Sequence, residues 1–305
     1  MDEMMRILNT YGKMGHYLET HNRIAVAVSG GSDSAIIVHI IATYFREYLP
    51  KIKFIFNNTG LEFDATKRYL KELENKYNIT IIELRGESVV YAVKKYGVPV
   101  ISKSISEIVD GYIRNLPWAI KRFNRTKEDS PVYYLRDNQK QLIEYCKKHN
   151  INISSKCCDV SKKKPAFDYC KHQKIDLYIT GERQAEGGMR ATAHTSCYEQ
   201  RKTHPWDKYM PLWFWSDSAK QIYKDAEGIK YSDCYEIWGL KRTGCVGCPF
   251  NSRVGDELKI IEKYEPKMYK ACLNVFGESY RLMDMFSIRK NKILPEFSCE
   301  ETKKV

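Results

Sequence analysis

No apolar run in these 305 residues is long enough to cross a bilayer; the longest, at 35–44, is about half of the ~20 residues a spanning helix needs. The first residues, Met1-Asp2-Glu3-Met4-Met5, lack the basic-then-apolar order of a secretion signal. A cytoplasmic protein with no membrane partner is therefore expected. Acidic residues are in deficit, 38 against 50 basic ones, and the resulting formal charge of +12 favours anionic partners: nucleotides, sulfated or phosphorylated metabolites, or nucleic acid. There is no internal repeat and no low-complexity linker. Ten cysteines without a secretion signal argue against a disulfide framework and for metal binding or thiol chemistry. The apolar content of 43% suffices for the core of one large or two modest domains.

What is present centres on Ile24-Ala25-Val26-Ala27-Val28 followed by Ser29-Gly30-Gly31-Ser32-Asp33-Ser34. Five apolar residues read as a buried parallel strand, and the glycines turn the chain into a helix expected over 33–48. Glycines let backbone N–H groups approach an anion, and a helix N-terminus adds its dipole at the same spot. Ser29, Ser32 and Ser34 are further donors, and Asp33 is placed to cap the helix or hold Mg²⁺. The bland alternative is a Gly-rich turn with no ligand. No Gly-Lys-Ser/Thr follows, so this is not a Walker A loop.

The loop resembles the PP-loop, S-G-G-x-D-S, of N-type ATP pyrophosphatases and their relatives the phosphoadenylyl-sulfate (PAPS) reductases. By that resemblance it cradles pyrophosphate, or its equivalent, on an adenine nucleotide. Residues 1–22 read as a helix. Lys53-Phe54-Ile55-Phe56-Asn57-Asn58 reads as a second strand, 64–77 as a helix and 79–85 as a third strand. Strands alternating with helices give an α/β fold, a doubly wound, mostly parallel sheet whose ligands bind beyond the carboxyl ends of the strands. The resemblance gives the adenine nucleotide alpha hydrolase-like version of it. Asn58, Thr59 and Gly60 fall at such an end, where the reductases carry Asp-Thr-Gly; Asn58 departs from that pattern.

Residues 86–150 read as a basic helical insert. Its densest charged patch, Lys121-Arg122-Phe123-Asn124-Arg125, reads first as a solvated helix face and second as a hold on a nucleic-acid backbone or base. The chain returns to the sheet with Ile175-Asp176-Leu177-Tyr178-Ile179-Thr180-Gly181, and Arg183 and Arg190 follow, suited to a phosphate or sulfate. This segment is similar to the family's T-G-x-R element, which implies that Gly181, Arg183 and Arg190 contact the nucleotide. Next comes Trp213-Phe214-Trp215, then a helix to about 226 capped by Ser216 or Asp217.

Cys157-Cys158 and, about 85 residues later, Cys245-Val246-Gly247-Cys248 supply four thiols in two pairs. Four thiolates suit a 4Fe-4S cluster or tetrahedral zinc, and spacing does not separate the two. C-C…C-x-x-C with a Lys-Pro element behind the first pair, here Lys164-Pro165, resembles the 4Fe-4S site of bacterial adenylyl-sulfate reductases, which implies the cluster. Cys146, Cys170, Cys197, Cys234 and Cys272 lack ligand spacing and are expected to be buried small side chains. Three stretches are expected: a helix at 1–22, a PP-loop α/β domain at 23–215 with its insert, and a smaller helical, cysteine-rich C-terminal portion at 216–305 carrying the C-x-x-C.

Sulfonucleotide reductases attack sulfur with a thiolate in E-C-G-x-H near the C-terminus. Here Ser298-Cys299-Glu300-Glu301 lacks the Gly-x-His, and the acids tend to raise the thiol pKa, which leaves Cys299 a weak candidate nucleophile. The loop, by contrast, is complete, which points towards ATP. Three readings compete. The first is an ATP-dependent sulfurtransferase with Mg²⁺, Asp33 at its catalytic loop and a 4Fe-4S cluster. The second is an oxidoreductase releasing sulfite from adenylyl sulfate or PAPS, with a thiol or electron-donor protein as partner. The third is a non-catalytic nucleotide- or nucleic-acid-binding subunit.

Overall fold

The protein is described by a computed structural model covering residues 2–130, 134–187, 194–200 and 204–294. It divides into two compact units, neither of which is one consecutive stretch. The first comprises 1–58, 64–85 and 164–244; the second comprises 59–63, 86–163 and 245–305. The three consecutive stretches expected from the sequence do not coincide with these units. Both cysteine pairs fall in the second unit, and the helix Asp217–Glu227, expected in the C-terminal portion, falls in the first. Burial explains this, because units form where apolar faces meet and not where composition shifts along the chain.

The first unit is built on six strands: β1 (Ile24–Ala27), β2 (Ile52–Asn58), β3 (Ile81–Arg85), β4 (Leu177–Ile179), β5 (Tyr198–Glu199) and β6 (Asp207–Tyr209). They lie in the order β3-β2-β1-β4-β6-β5, all neighbours parallel except β5 against β6. The expected α/β, mostly parallel sheet is therefore the fold. Val26 sits opposite Phe54 on one side and Ile179 on the other, so β1 is central and apolar on both faces. Chain order reverses at β1, between β2 and β4, and in such sheets that switch point opens the crevice where ligands bind.

The helix Ser32–Tyr44 that follows β1 is buried on every side from Ala35 to Ala42, as its Ile-Ile-Val and Ile-Ile runs require. It ends four residues before the expected 48. Phe45 leaves helical geometry at φ −135°, and Pro50 lies within the 3₁₀ turn Arg46–Lys51 that follows. The helix Asp64–Tyr77 has the expected bounds and buries Tyr69, Leu70, Leu73 and Tyr77. The helix Glu3–Thr20 buries Ile7, Met14 and Leu18, and its Thr10 hydroxyl accepts a 2.8 Å hydrogen bond from the buried Trp215 indole.

The second unit is helical: Val89–Tyr96, Lys103–Ile113, Pro117–Asn124, Asp137–Lys148, Val254–Tyr264 and Pro266–Met285. Ser88 and Ser102 cap the first two of these, accepting from the Tyr91 and Ile105 amides at 3.2 Å each. Leu142, Ile143, Phe276, Leu282 and Met283 are among its buried side chains. No described helix is long and apolar enough to cross a membrane.

Candidate functional site

Each unit carries one of the two sites marked in the sequence. In the first, β1 ends and the chain enters Ser29, Gly30 and Gly31. Gly30 adopts φ +70°, and a Cβ there would meet the Thr66 Cγ2 methyl at 2.5 Å, so both backbone and packing require glycine. Gly31 occupies the N-cap position of the helix Ser32–Tyr44; Asp33 does not, contrary to one of its expected roles. The Ser29 and Ser34 hydroxyls are committed to the loop itself. Ser34 Oγ donates to the Gly31 carbonyl at 2.9 Å and accepts the Ser29 amide at 3.2 Å, while Ser29 Oγ accepts the Gly31 amide at 3.3 Å. These bonds hold the turn in shape without a ligand.

Gly181, beyond β4, fits against this turn: a Cβ would stand 3.2 Å from the Ser34 nitrogen. Two residues on, Arg183 is only 5% exposed and is ion-paired, although its buried Nε and the facing Asp33 Oδ1 make no aligned hydrogen bond. Its Nε pairs with Asp33 Oδ1 at 2.8 Å, one terminal nitrogen with Asp217 Oδ1 at 2.9 Å, and the other donates to the Trp215 carbonyl at 3.3 Å. Asp33 Oδ1 meets a second cation, Lys220 Nζ, at 2.9 Å. Lys220 also donates to Ser32 Oγ. A carboxylate oxygen already facing two cations is a poor magnesium ligand, so the expected Mg²⁺ role of Asp33 does not fit the residues around it. Its geometry instead suits holding Arg183 and Lys220 at the loop.

Lys220, Tyr235 and Thr243 were not marked in the sequence. Lys220 sits in the first turns of the helix that Ser216 caps by accepting the Ala219 amide at 3.0 Å, and the pattern Asp217-x-x-Lys220 is the one signal that could have found it. The Tyr235 hydroxyl reaches the loop, 3.2 Å from where a Cβ on Gly31 would stand, accepts the Thr243 amide at 3.1 Å and pairs with Thr243 Oγ1 at 3.0 Å. Burial raises its pKa, so it is a neutral phenol there. Asn58, ending β2, donates to Glu83 at 3.1 Å. Arg190 lies outside the described residues, as does Cys299.

Thr59 and Gly60, grouped in the sequence with the loop, belong to the second unit. Thr59 Oγ1 donates to Glu62 at 2.7 Å and accepts from Cys245 Sγ at 3.5 Å. Cys245 and Cys248 flank a turn in which Gly247 has φ +63°, and a Cβ there would strike Tyr280 Oη at 2.7 Å and Cys272 Sγ at 2.8 Å. Cys272 is the buried packing residue expected, as are Cys146, Cys170, Cys197 and Cys234. Cys157 and Cys158 lie in a single helical turn, Lys156–Cys158, that continues into a π-helical stretch, Asp159–Lys163. Such wide turns recur at functional sites because they re-aim side chains.

Electrostatics tie the two pairs together. Cys157 Sγ donates to the Ser155 carbonyl at 4.0 Å, and the adjacent Cys158 sulfur, then burial, then the Cys248 and Cys245 sulfurs raise its pKa. The neighbouring Cys157, outweighing burial and helped by Lys162 and Lys103, lowers the pKa of Cys158. Burial raises both Cys245 and Cys248. Burial alone would lower Lys162, but Cys245, Glu62 and Cys158 outweigh it and keep the ammonium charged. Among the described residues no three His, Cys, Asp or Glu side chains are already arranged to hold a metal ion. The donor set nevertheless fits a thiolate-bound group: soft sulfurs in two mutually coupled pairs, one of lowered pKa, with lysines to balance the charge.

The model of the phosphoadenosine phosphosulfate reductase domain matches residues 23–104 and 124–251, well over half of the chain, and the chain belongs to that family. An uncharacterized protein of Methanocaldococcus jannaschii is 27% identical over 277 residues, which cover 89% of this chain and 44% of the relative. An adenosine 5'-phosphosulfate reductase of Neisseria meningitidis is 25% identical over 154 residues, 50% of this chain and 59% of the relative. The chain thus spans about half the length of these curated relatives. Among solved structures, a PAPS reductase from Candida auris has a TM-score of 0.48 at 15% identity, covering 77% of this chain and 87% of that one.

Proposed function

We propose that the chain binds an adenine nucleotide at the 29–34 loop, carries a 4Fe-4S cluster on Cys157, Cys158, Cys245 and Cys248, and transfers sulfur at the expense of ATP. The observation that carries the nucleotide reading is the convergence of Arg183 and Lys220 on one oxygen of Asp33 in the first turn of the loop helix. Two cations on one carboxylate oxygen leave unspent positive charge beside a helix N-terminus, which is what a polyphosphate seeks. Asp217 also faces Arg183 but is largely exposed, so water screens it.

In this reading an acceptor oxygen displaces pyrophosphate from the α-phosphorus, and a sulfur nucleophile then displaces the AMP. The loop amides hold the leaving pyrophosphate, and Arg183 and Lys220 meet the charge that grows on it. The complete loop supports ATP as the nucleotide. The four cysteines would hold the cluster, which when bound supplies a sulfur-handling or electron-donating centre, while Lys162 balances its thiolate charge. Arg190 is proposed as a further contact to the anionic end. The protein is proposed to be cytoplasmic.

The Neisseria relative favours a second reading, release of sulfite from adenylyl sulfate or PAPS with Cys299 or an external thiol as nucleophile. The deciding experiment is sulfite release from both sulfonucleotides by anaerobically purified protein with a thiol reductant, beside Cys299→Ser. Sulfite that disappears in the variant establishes the reductase and removes the ATP reading. No sulfite, with ATP-dependent pyrophosphate release instead, supports sulfur transfer.

A further inference from the structure

Residues 105–123 lie between the two stretches that the family model matches. They hold most of the helix Lys103–Ile113 and all but the last residue of Pro117–Asn124. In the latter, Ala119 and Phe123, four apart, are buried, and Phe123 stacks on Tyr112 with ring centroids 4.2 Å apart. That fixes which way the helix faces. Trp118, Lys121 and Arg122 stand at i, i+3 and i+4, a stripe away from the buried side, and Arg125 follows at the C-cap in extended geometry.

Trp118 is 52% exposed, whereas Trp206, Trp213, Trp215 and Trp238 are all buried. Its indole is not loose: a Cβ at Gly111 would lie 2.7 Å from the ring, so the indole rests on bare backbone with the rest of its surface in water. From 111 to 127 the chain has no acidic residue and five cations, Arg114, Lys121, Arg122, Arg125 and Lys127, of which Arg114 pairs with Asp110 at 3.3 Å and Arg125 faces Asp129. An ordinary solvated face mixes charge signs and carries no large aromatic. A supported aromatic surface flanked by cations of one sign matches a base stacked on a ring with its phosphates on either side.

We propose that this helix face binds single-stranded nucleic acid, with a base stacked on Trp118 and the backbone phosphates on Lys121, Arg122 and Arg125. A single strand is specified because the bases of a duplex are already stacked on one another and cannot reach a flat indole. An anionic membrane fits less well, since a surface-seeking helix needs a broad apolar face and this one offers a single ring. The proposal goes beyond the nucleotide loop and the cysteine site and uses no residue of either.

The test is anisotropy of labelled RNA and DNA single strands of about 16 nucleotides, titrated with the full chain, alongside quenching of tryptophan emission. A matched duplex and phosphatidylserine vesicles complete the set. Binding of a single strand with quenching is expected, and the RNA and DNA arms decide which strand is preferred. Trp118→Ala should weaken binding roughly 5- to 100-fold, Trp118→Phe should restore most of it, and both should keep the far-ultraviolet circular dichroism of the parent. Replacing Lys121, Arg122 and Arg125 together by Gln should flatten the slope of log K against log salt by about 2. Full affinity in Trp118→Ala, a preference for duplex, binding to vesicles only, or no binding at all would each overturn the proposal.

Discussion

In the sheet unit, the 29–34 loop is made of backbone and of short hydroxyls that bond back onto it, and its counter-charges are paired before any ligand arrives: Asp33 with Arg183 and Lys220. In the helical unit, the cysteine site is made of side chains whose pKa shifts disagree, Cys158 lowered and Cys157, Cys245 and Cys248 pushed the other way by burial and by each other. The first arrangement keeps its shape without a guest while leaving positive charge to spare. The second has an unresolved charge problem that four thiolates on one cationic group would remove. Under the proposed function, the phosphate site is preorganised by geometry, whereas the thiolate site would be completed by what it binds.

Both sites do share one dependence, on a glycine that no other residue can replace, and the largest effects are expected there. Gly247→Ala puts a Cβ into Tyr280 and Cys272 at a positive φ and should cost about 2–4 kcal/mol of stability in urea unfolding. Gly30→Ala should cost a similar amount, about 2–4 kcal/mol, and abolish nucleotide binding. Adding Thr66→Ser removes the methyl met at 2.5 Å and should recover the packing part but not the backbone part. Full recovery would mean that the φ of Gly30 is unimportant.

Asp33→Asn sharpens the claim that the loop is charge-paired in advance. It should lower stability by about 2 kcal/mol, because Arg183 is nearly fully buried and loses one of its two carboxylates. It should also make added pyrophosphate raise the melting temperature more than in the parent, since the anion then replaces the missing charge. An unchanged response to pyrophosphate would break the assignment of Arg183 and Lys220 to the anion. In the other unit, Lys162→Gln should reduce iron and labile sulfide retained after anaerobic reconstitution, with the fold intact by circular dichroism. Retention equal to the parent would leave Lys162 a packing residue.

The smallest effect concerns pH and belongs to the sheet unit alone. Burial lowers the pKa of His39, on the loop helix, below its ordinary 6.5, and the ring accepts or donates at 2.9 Å to the Tyr223 hydroxyl. A base whose folded pKa is depressed contributes stability above its unfolded value and loses it as the solution is acidified below about 6.5. His39→Gln should therefore flatten the acid side of the stability curve while leaving the neutral and alkaline sides nearly parallel. An acid limb identical to the parent's would place the acid sensitivity elsewhere.

How much could be read beforehand depends on the range over which each feature is decided. The strand at 24–28, the glycine turn and the helix Asp64–Tyr77 follow from neighbouring residues, so periodicity and glycine placement suffice. Ser216 as a cap was legible for the same reason. Lys220 and Tyr235 were not, because they reach the loop from segments about 190 and 200 residues away in the chain. The grouping of Thr59 with Cys245 was equally hidden, since short spacing says nothing about which distant segments share a core; that the two cysteine pairs belong together came from the family resemblance and not from their spacing.

The sequence by itself determined the parallel sheet, the loop that turns β1 into its helix, the two pairs of thiols and the family, because each is written in adjacent residue types and their spacing. Tertiary structure alone decided that Asp33 is held by Arg183 and Lys220 rather than capping its helix, and that Lys162 and Lys103 stand beside the Cys157-Cys158 pair. It also left Trp118 as the one exposed tryptophan of the five. Charge pairing, pKa and exposure depend on which distant atoms arrive and how much water they exclude, and only the folded chain fixes that.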